Sequence, residues 1–471
     1  MSLVIANNVS SLNAQNNLTR SSSALARSIE RLSSGLKVNR GSDGPAALVI
    51  SEQQRAQIAG LRQAIENSEK AVSLVQTAEG ALNEINSLLV KVRSLALDSA
   101  NAGVNDDDAL AANQAESANA LDTSNPIANN TQFGTKKLLD GSAGIDGTPS
   151  DSDVTFLKAT SETTAGTYTV EVTTPGTRAA VSAGTDQTAA LGADEILTIN
   201  GVSISLSAGL SQPEVVNRIN EFTSQTGVSA EVDGTTTRLY TTAFGTDATI
   251  SVTSNTAAAA NSTGFGTTEL TDTGSNVIAE IDSVAFTGVG NVVTATSGVA
   301  NGLAIQFGVD SSDATSTVDN AQGNITITDK SLVFQVGANQ NQTVKVGVSR
   351  VNPTALGVGV TGNQFANLNA IDVTSATKAQ DAISVIDAAI DDVTNLRGTL
   401  GAFQANTLES GANNLRSTLE NTVNAESTIR DTDFAEEIAE FTKQQVLVQA
   451  GTSVLSNANQ SSQLVLSLLN G

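Results

Sequence analysis

The chain contains no cysteine, no histidine and no tryptophan, and only 2 tyrosines in 471 residues. Without cysteine there is no disulfide, no thiolate zinc site and no thiol redox chemistry. Without histidine there is no Ser-His-Asp triad and no HExxH metal site, because both need an imidazole. No Walker-type glycine loop with its lysine is present either. The chain is therefore expected not to be an enzyme and to carry no cofactor and no metal. Asp106–Asp107–Asp108 and the DSSD stretch at 310–313 lack the ligand spacing of an EF-hand and read as solvated turns.

Positive charge is also scarce. The net charge is −24, from 24 basic and 48 acidic side chains. Residues 141–375 hold 7 basic and 22 acidic groups, so −15 of the total falls in the middle. No basic patch is present to neutralise phosphates, which excludes nucleic acid as a partner. The two ends carry almost no charge: residues 1–19 have none, and none follows Lys443. Polar residues interrupt both ends, so no apolar run approaches the ~18 residues of a membrane span, and no membrane insertion is expected. The N-terminus, MSLVIANNVSSLNAQNN, lacks the basic region and apolar stretch of a cleavable signal peptide.

The six prolines leave 46–125 and 354–471 free of that residue, and both spans are rich in helix-tolerant residues. The middle is rich in Thr, Val, Gly and Ser, which favour strands and turns. Helix, then β, then helix is the expected order. Leu18, Ser22, Leu25, Ile29, Leu32 and Leu36 step by four and three, as a coiled-coil seam does. Phe434, Ile438, Phe441, Gln445, Val448, Thr452, Leu455, Asn459, Ser462, Leu466 and Leu469 do the same almost to the last residue. Between them, Leu74, Ala78, Ala81, Ile85, Leu88, Val92 and Leu95 form another seam. A neighbouring stripe of Leu61, Ile65, Val72, Val75 and Leu82 widens that face toward a multi-helix bundle. Sticky, uncharged terminal helices around a polar β middle imply self-association into a polymer, although the periodicity equally describes a large closed bundle.

In the middle, ILTINGVSISL (196–206) reads as a hairpin turning at Asn200–Gly201, the residues of a type I′ turn. PEVVNRINEFTSQTG (213–227) reads as one short helix opened by Pro213. LVFQVGANQNQTVKVGVS (332–349) alternates as a second hairpin. Near the N-terminus, LSSGLKVNRGSDGPAA (32–47) interrupts the first helix. Gly35, Asn39, Gly41 and Gly44 provide backbone latitude there, and Pro45 marks a helix restart. The stretch reads as a joint between domains.

Several long motifs then carry a resemblance. IERLSSGLKVNRGSDGPAAL (29–48), TAEGALNEINSLLVKVRSLALDSAN (77–101) and TQFGTKKLLDG (131–141) resemble the N-terminal region of bacterial flagellins. STIRDTDFAEEIAEFTKQQVLVQAGTSVLSNANQSSQLVLSLL (427–469) resembles their C-terminal region, and 370–404 resembles the segment where their inner helical domain resumes. More loosely, 166–253 is similar to a β-rich insertion module found in flagellins and hook-associated proteins.

The resemblance implies an α+β multidomain fold in which N- and C-terminal helices pair into coiled-coil and helical-bundle inner domains around a β-rich outer insertion. The expected domains are 1–43 with 431–471 as a terminal-helix core, 44–141 with 330–430 as an inner bundle with a β-hairpin, and 142–329 as an outer region of one or two domains. It implies a secreted filament subunit, exported unfolded by the flagellar type III apparatus, whose terminal helices fold on assembly and line a channel. Implied partners are other copies of the chain, an export chaperone, the filament cap protein and the hook–filament junction protein. VKVRSLAL (90–97) aligns with the segment read by the vertebrate innate flagellin receptor, placing that contact at Lys91, Arg93, Leu95 and Glu116, with Ser94 where an acidic residue is usual. A hook–filament junction protein is the near alternative, and an adhesin role for the outer insert is another.

Overall fold

Among the described residues eight α-helices occur: α1 (Val9–Ser34), α2 (Pro45–Ser99), α3 (Asp107–Asn130), α4 (Gln212–Asn220), α5 (Thr223–Thr226), α6 (Ala376–Ala402), α7 (Ser410–Arg430) and α8 (Phe434–Leu469). All strands among the described residues lie between α3 and α6. The computed structural model describes residues 8–101 and 103–469, with side chains described through residue 460. The side chains of Ser462, Leu466 and Leu469 therefore lie outside the described residues.

The chain divides into two compact units. One comprises Met1–Glu69, Gln335–Thr343 and Glu409–Gly471, and the other Lys70–Phe334 and Val344–Leu408. In the first, α1 and α8 lie side by side, and the opening half of α2 pairs with α7. Ser51 donates to Glu426 at 3.0 Å, and Arg430 and Arg416 reach Glu52 and Glu69 at 3.1 and 2.7 Å. The tip of the 332–346 hairpin belongs here too, with Asn67 donating to the Gln335 carbonyl at 3.1 Å.

In the second unit the closing half of α2 meets α3 and α6. Leu82, Ile85, Leu89 and Val92 are fully buried, as are Ala382, Val385, Ile386, Ala389 and Val393. The buried face of α2 falls between the two stripes read from sequence: Leu88 and Leu95 are only half-buried, while Leu89 and Ala96 are buried. A face about 100° wide or more takes its centre from both stripes. α6 passes through a seven-residue π-helical segment, Phe403–Glu409, into α7, and nothing in the periodicity announces it.

The insertion holds two larger, separate hydrophobic cores among the described residues. The first draws on 154–172 and 277–327, around a five-stranded antiparallel sheet in the order 284–287, 278–281, 166–174, 320–329, 145–149. The second draws on 179–270, with a four-stranded and a three-stranded sheet and α4. Here 195–199 and 202–206 form the expected hairpin, with Asn200 and Gly201 at φ 48° and 85° as a type I′ turn requires. The expected single helix at 213–227 is instead α4 and α5. Ser211 and Glu214 cap the start of α4 reciprocally, and Gly227 ends α5 in the left-handed region.

The second core is tied back at its stem. Arg178 packs its guanidinium over Tyr240 and Phe244, 5.4 and 4.4 Å from the ring centroids, and Nη1 donates to the Ala314 carbonyl at 2.8 Å. Burial pulls the Arg178 pKa down. Lys378, nearly buried at the start of α6, donates to the Ser224 carbonyl at 2.9 Å and to Asp372 at 2.8 Å.

Candidate assembly surface

The α1–α8 pair is antiparallel. Asn8 donates to the Ala458 carbonyl at 3.0 Å, Ser11 to Asn459 at 2.7 Å, and Arg31 reaches Glu437 at 3.4 Å. The facing residues of α1 are Ala14, Leu18, Ser21, Leu25, Ser28 and Leu32; those of α8 are Glu437, Phe441, Gln444, Val448, Gly451, Leu455 and Ala458. Both series step by three and four. Gly451 permits a close approach: a Cβ there would stand 3.3 Å from Leu18 Cδ1.

Half of the sequence-predicted seam takes part in this pairing. Leu18, Leu25 and Leu32 on α1, and Phe441, Val448 and Leu455 on α8, are half-buried against the partner helix. Ser22, Gln445, Thr452 and Asn459 are exposed. Ile29, Phe434 and Ile438 are exposed at 51%, 53% and 52%. The register turns away from them because the small Ser21, Ser28 and Gly451 let the two backbones come together, and the bulkier alternatives are left on the flank. Val9, Leu12, Val446, Leu447 and Val454 are exposed as well.

The contrast with α2 and α6 defines the surface. Each of those helices buries a line of large apolar residues fully within the chain, although Val90 and Leu97 of α2 stay exposed, whereas the described part of the terminal pair buries none of its large apolar residues fully and leaves an apolar flank open to water. Covering a Val, Leu, Ile or Phe side chain fully is worth about 1.5–3 kcal/mol, so several such residues supply a strong drive to associate.

The joint differs from its sequence reading in two respects. α1 ends at Ser34, so Leu36 lies beyond the helix rather than completing its seam. Gly35 caps the helix with φ 71°, its N–H donating to the Arg31 carbonyl, whereas Gly41 and Gly44 have no positive φ. The segment is also tied down within the chain. Leu36 bridges Asp431, Lys37 N–H donates to the Arg430 carbonyl at 2.6 Å, and Thr432 N–H to the Gly35 carbonyl at 3.0 Å. The α1–α2 connection is thus laced to the α7–α8 connection, inside the first unit. Asn39 donates to Glu30 at 2.9 Å, and Pro45 opens α2 as expected.

Asp43 closes the turn by accepting the N–H groups of Arg40 and Asn39 at 2.9 and 3.2 Å. The Arg40 N–H, foremost, holds its carboxyl below the ordinary 3.8. A depressed carboxyl stabilises the fold above its unfolded pKa, and that contribution is lost as pH falls through the lower folded value. The Arg40 and Asn39 amides are therefore expected to stay protected from neutral pH down to about 4 and to lose protection below 3.8. An NMR pH titration reads this directly, and Asp43→Ala should remove the protection at every pH.

The four residues aligned with innate-receptor contact lie in the second unit. Arg93 makes a two-point pair with Asp387, at 2.5 and 3.2 Å, and the Asp387 hydrogen bond raises the Arg93 pKa. Lys91 pairs with Glu116 at 2.7 Å, and Leu95 is half-buried. Sequence reasoning did not find Asp387, whose spacing from Arg93 carries no local signal. The acidic stretches weighed for calcium have other duties: Asp106 caps α3 through the Ala109 N–H, Asp310 accepts from Ser312, and Asp313 from Thr315.

A terminal-helix pair with an open apolar flank, enclosing in sequence a helical bundle and two β modules, is the layout of a structural subunit whose end helices are suited to association. The family model for the bacterial flagellin N-terminal helical region matches residues 5–144, that for the C-terminal helical region matches 383–469, and the flagellin hook IN motif matches 196–256. The chain is 33% identical to a flagellin of Salmonella typhimurium and 34% identical to the B-type flagellin of Pseudomonas aeruginosa, over 100% of both chains in each case. It is 32% identical to a flagellin of Clostridium tyrobutyricum, over 98% of this chain and 100% of that one. The chain belongs to the bacterial flagellin family and is a structural subunit of the flagellar filament that drives motility. Neither the hook–filament junction reading nor the adhesin reading is favoured by these relatives.

Proposed function

We propose that the α1–α8 pair is the element that drives polymerisation, gaining its full packing only when other copies cover its flank. The observation that carries this reading is the exposure of Ile29, Phe434, Ile438, Val446 and Val454 on helices of 26 and 36 residues. Such segments fold and bind together, because the neighbour supplies the missing wall. The pair then forms the innermost layer of the filament and lines its channel, and the tied joint at 35–45 leads from it into α2. The chain has no catalytic role in this reading. It is exported to the cell exterior, kept from premature assembly by a chaperone on its C-terminal segment, and added beneath a cap protein on a filament seated on the junction proteins. Lys91, Arg93, Leu95 and Glu116 serve subunit packing first, and receptor contact exploits them; the ion pairs Lys91–Glu116 and Arg93–Asp387 hold three of these side chains in place within the chain.

Seeded growth tests the reading. Purified chain added to short fragments of its own filament should lengthen them into long tubes under the electron microscope. A chain that never lengthens such seeds is not the polymer described here.

A further inference from the structure

The terminal pair carries a second feature that its apolar flank does not explain. Arg20 and Arg27 lie seven residues apart on α1, and with Lys443 of α8 they line an open groove of about 610 Å³. In a chain of net charge −24 most cations are matched by a carboxylate, yet Arg20 and Arg27 have no anionic partner among the described residues. Lys443 meets only Glu440, on its own helix, at 3.0 Å. The groove also exposes Leu447, at 44%. It is therefore an open, mostly polar groove with one exposed leucine and two unmatched arginines, a makeup suited to a contact that specifies its partner by charge.

We infer that this groove receives the acidic start of α8 from a second copy of the chain; the inference rests on the filament reading above. Charge complementarity selects that occupant. Asp431 and Asp433, just before α8, and Glu436, in its first turn, are close in sequence, and Glu436 has no cationic partner among the described residues. From Lys443 back to Asp433 is ten residues, about 15 Å along a helix, so a copy displaced along the common axis brings its acids over its neighbour's cations. The proposed contact would join two different patches of one surface. Such a contact is heterologous and propagates without closing, as a filament requires. The groove thus sets the direction and spacing of packing, while the exposed apolar residues supply the drive.

The test uses the full chain lengthening wild-type filament fragments at low ionic strength. The double variant R20E/R27E should lengthen them about tenfold more slowly or worse, because it places like charges face to face. The conservative R20K/R27K should behave as wild type. An equal mixture of R20E/R27E with Glu436→Arg should recover much of the lost rate, because the swapped charges again oppose each other. Wild-type lengthening rates from R20E/R27E, failure of R20K/R27K, or a mixture no better than its parts would each overturn the inference while leaving the filament reading intact. Binding of the wild-type chain to phosphatidylserine vesicles that R20E/R27E loses, with lengthening unchanged, would reassign the groove to an anionic surface. Failure of the wild-type chain to lengthen its own seeds would instead remove the filament reading, and the inference with it.

Discussion

Replacing Ile438 with aspartate is expected to slow filament growth on wild-type seeds by about 100-fold or more, with little effect on the isolated chain. Ile438 stands 52% exposed on α8 and contributes nothing to the fully buried cores of the second unit. In the single chain the new carboxylate meets water. If a neighbour encloses it in the filament, as proposed, the substitution forfeits the burial of an isoleucine, about 1.5–3 kcal/mol. It also confines an unpaired charge, at a further cost of several kcal/mol. A difference of ~2.7 kcal/mol already gives two powers of ten. The measurement is the lengthening rate by electron microscopy, set beside the far-UV dichroism and melting profile of the monomer. Normal growth of the Ile438→Asp chain would mean that this flank stays exposed in the filament.

The second large effect runs the opposite way. Phe307 is fully buried among Val154, Phe156, Ile305 and Ile325 in the first core of the insertion. Phe307→Ala removes an aromatic side chain from that core and should cost about 3–5 kcal/mol, as large-to-small core changes do. A separate, lower melting transition is expected by calorimetry. Growth on seeds should nevertheless continue within a few-fold of wild type below that transition, because none of the residues of the α1–α8 pair belongs to this core. Together the two variants separate stability from assembly: one spares the monomer and stops the polymer, while the other weakens the monomer and spares the polymer.

The parts of this fold legible in the sequence are those set by local chemistry. Asn200–Gly201 announces its hairpin because few other residues accept positive φ at both turn positions. Pro45 marks the start of α2 because its fixed φ suits a first helical turn. The heptads of α1 and α8 were legible as seams, but only one position in each heptad was assigned to the face that pairs. Counting apolar residues favours Ile29 and Ile438, whereas close helix packing favours Ser21, Ser28 and Gly451, whose small side chains periodicity passes over. The same limit applies to the joint. Its glycines and proline suggested looseness, yet the backbone bonds from 35–37 to 430–432 hold it, and no local pattern reports a partner almost 400 residues away. The two nested cores likewise depend on strand pairings such as 166–174 with 320–329. The charged groove was equally hidden, because an unmatched arginine shows only once every potential partner has been placed.

Hydrogen–deuterium exchange compared between monomer and filament tests the central claim most directly. If the terminal pair completes its packing only on assembly, amides across 9–34 and 434–460 should exchange within seconds to minutes in the monomer and slow by about 100-fold or more in the filament. Those of α6 and the closing half of α2, already buried within the chain, should change little. Equal exchange across 9–34 and 434–460 in the two states would contradict the account, because it would mean that the terminal helices are as complete alone as they are in the polymer.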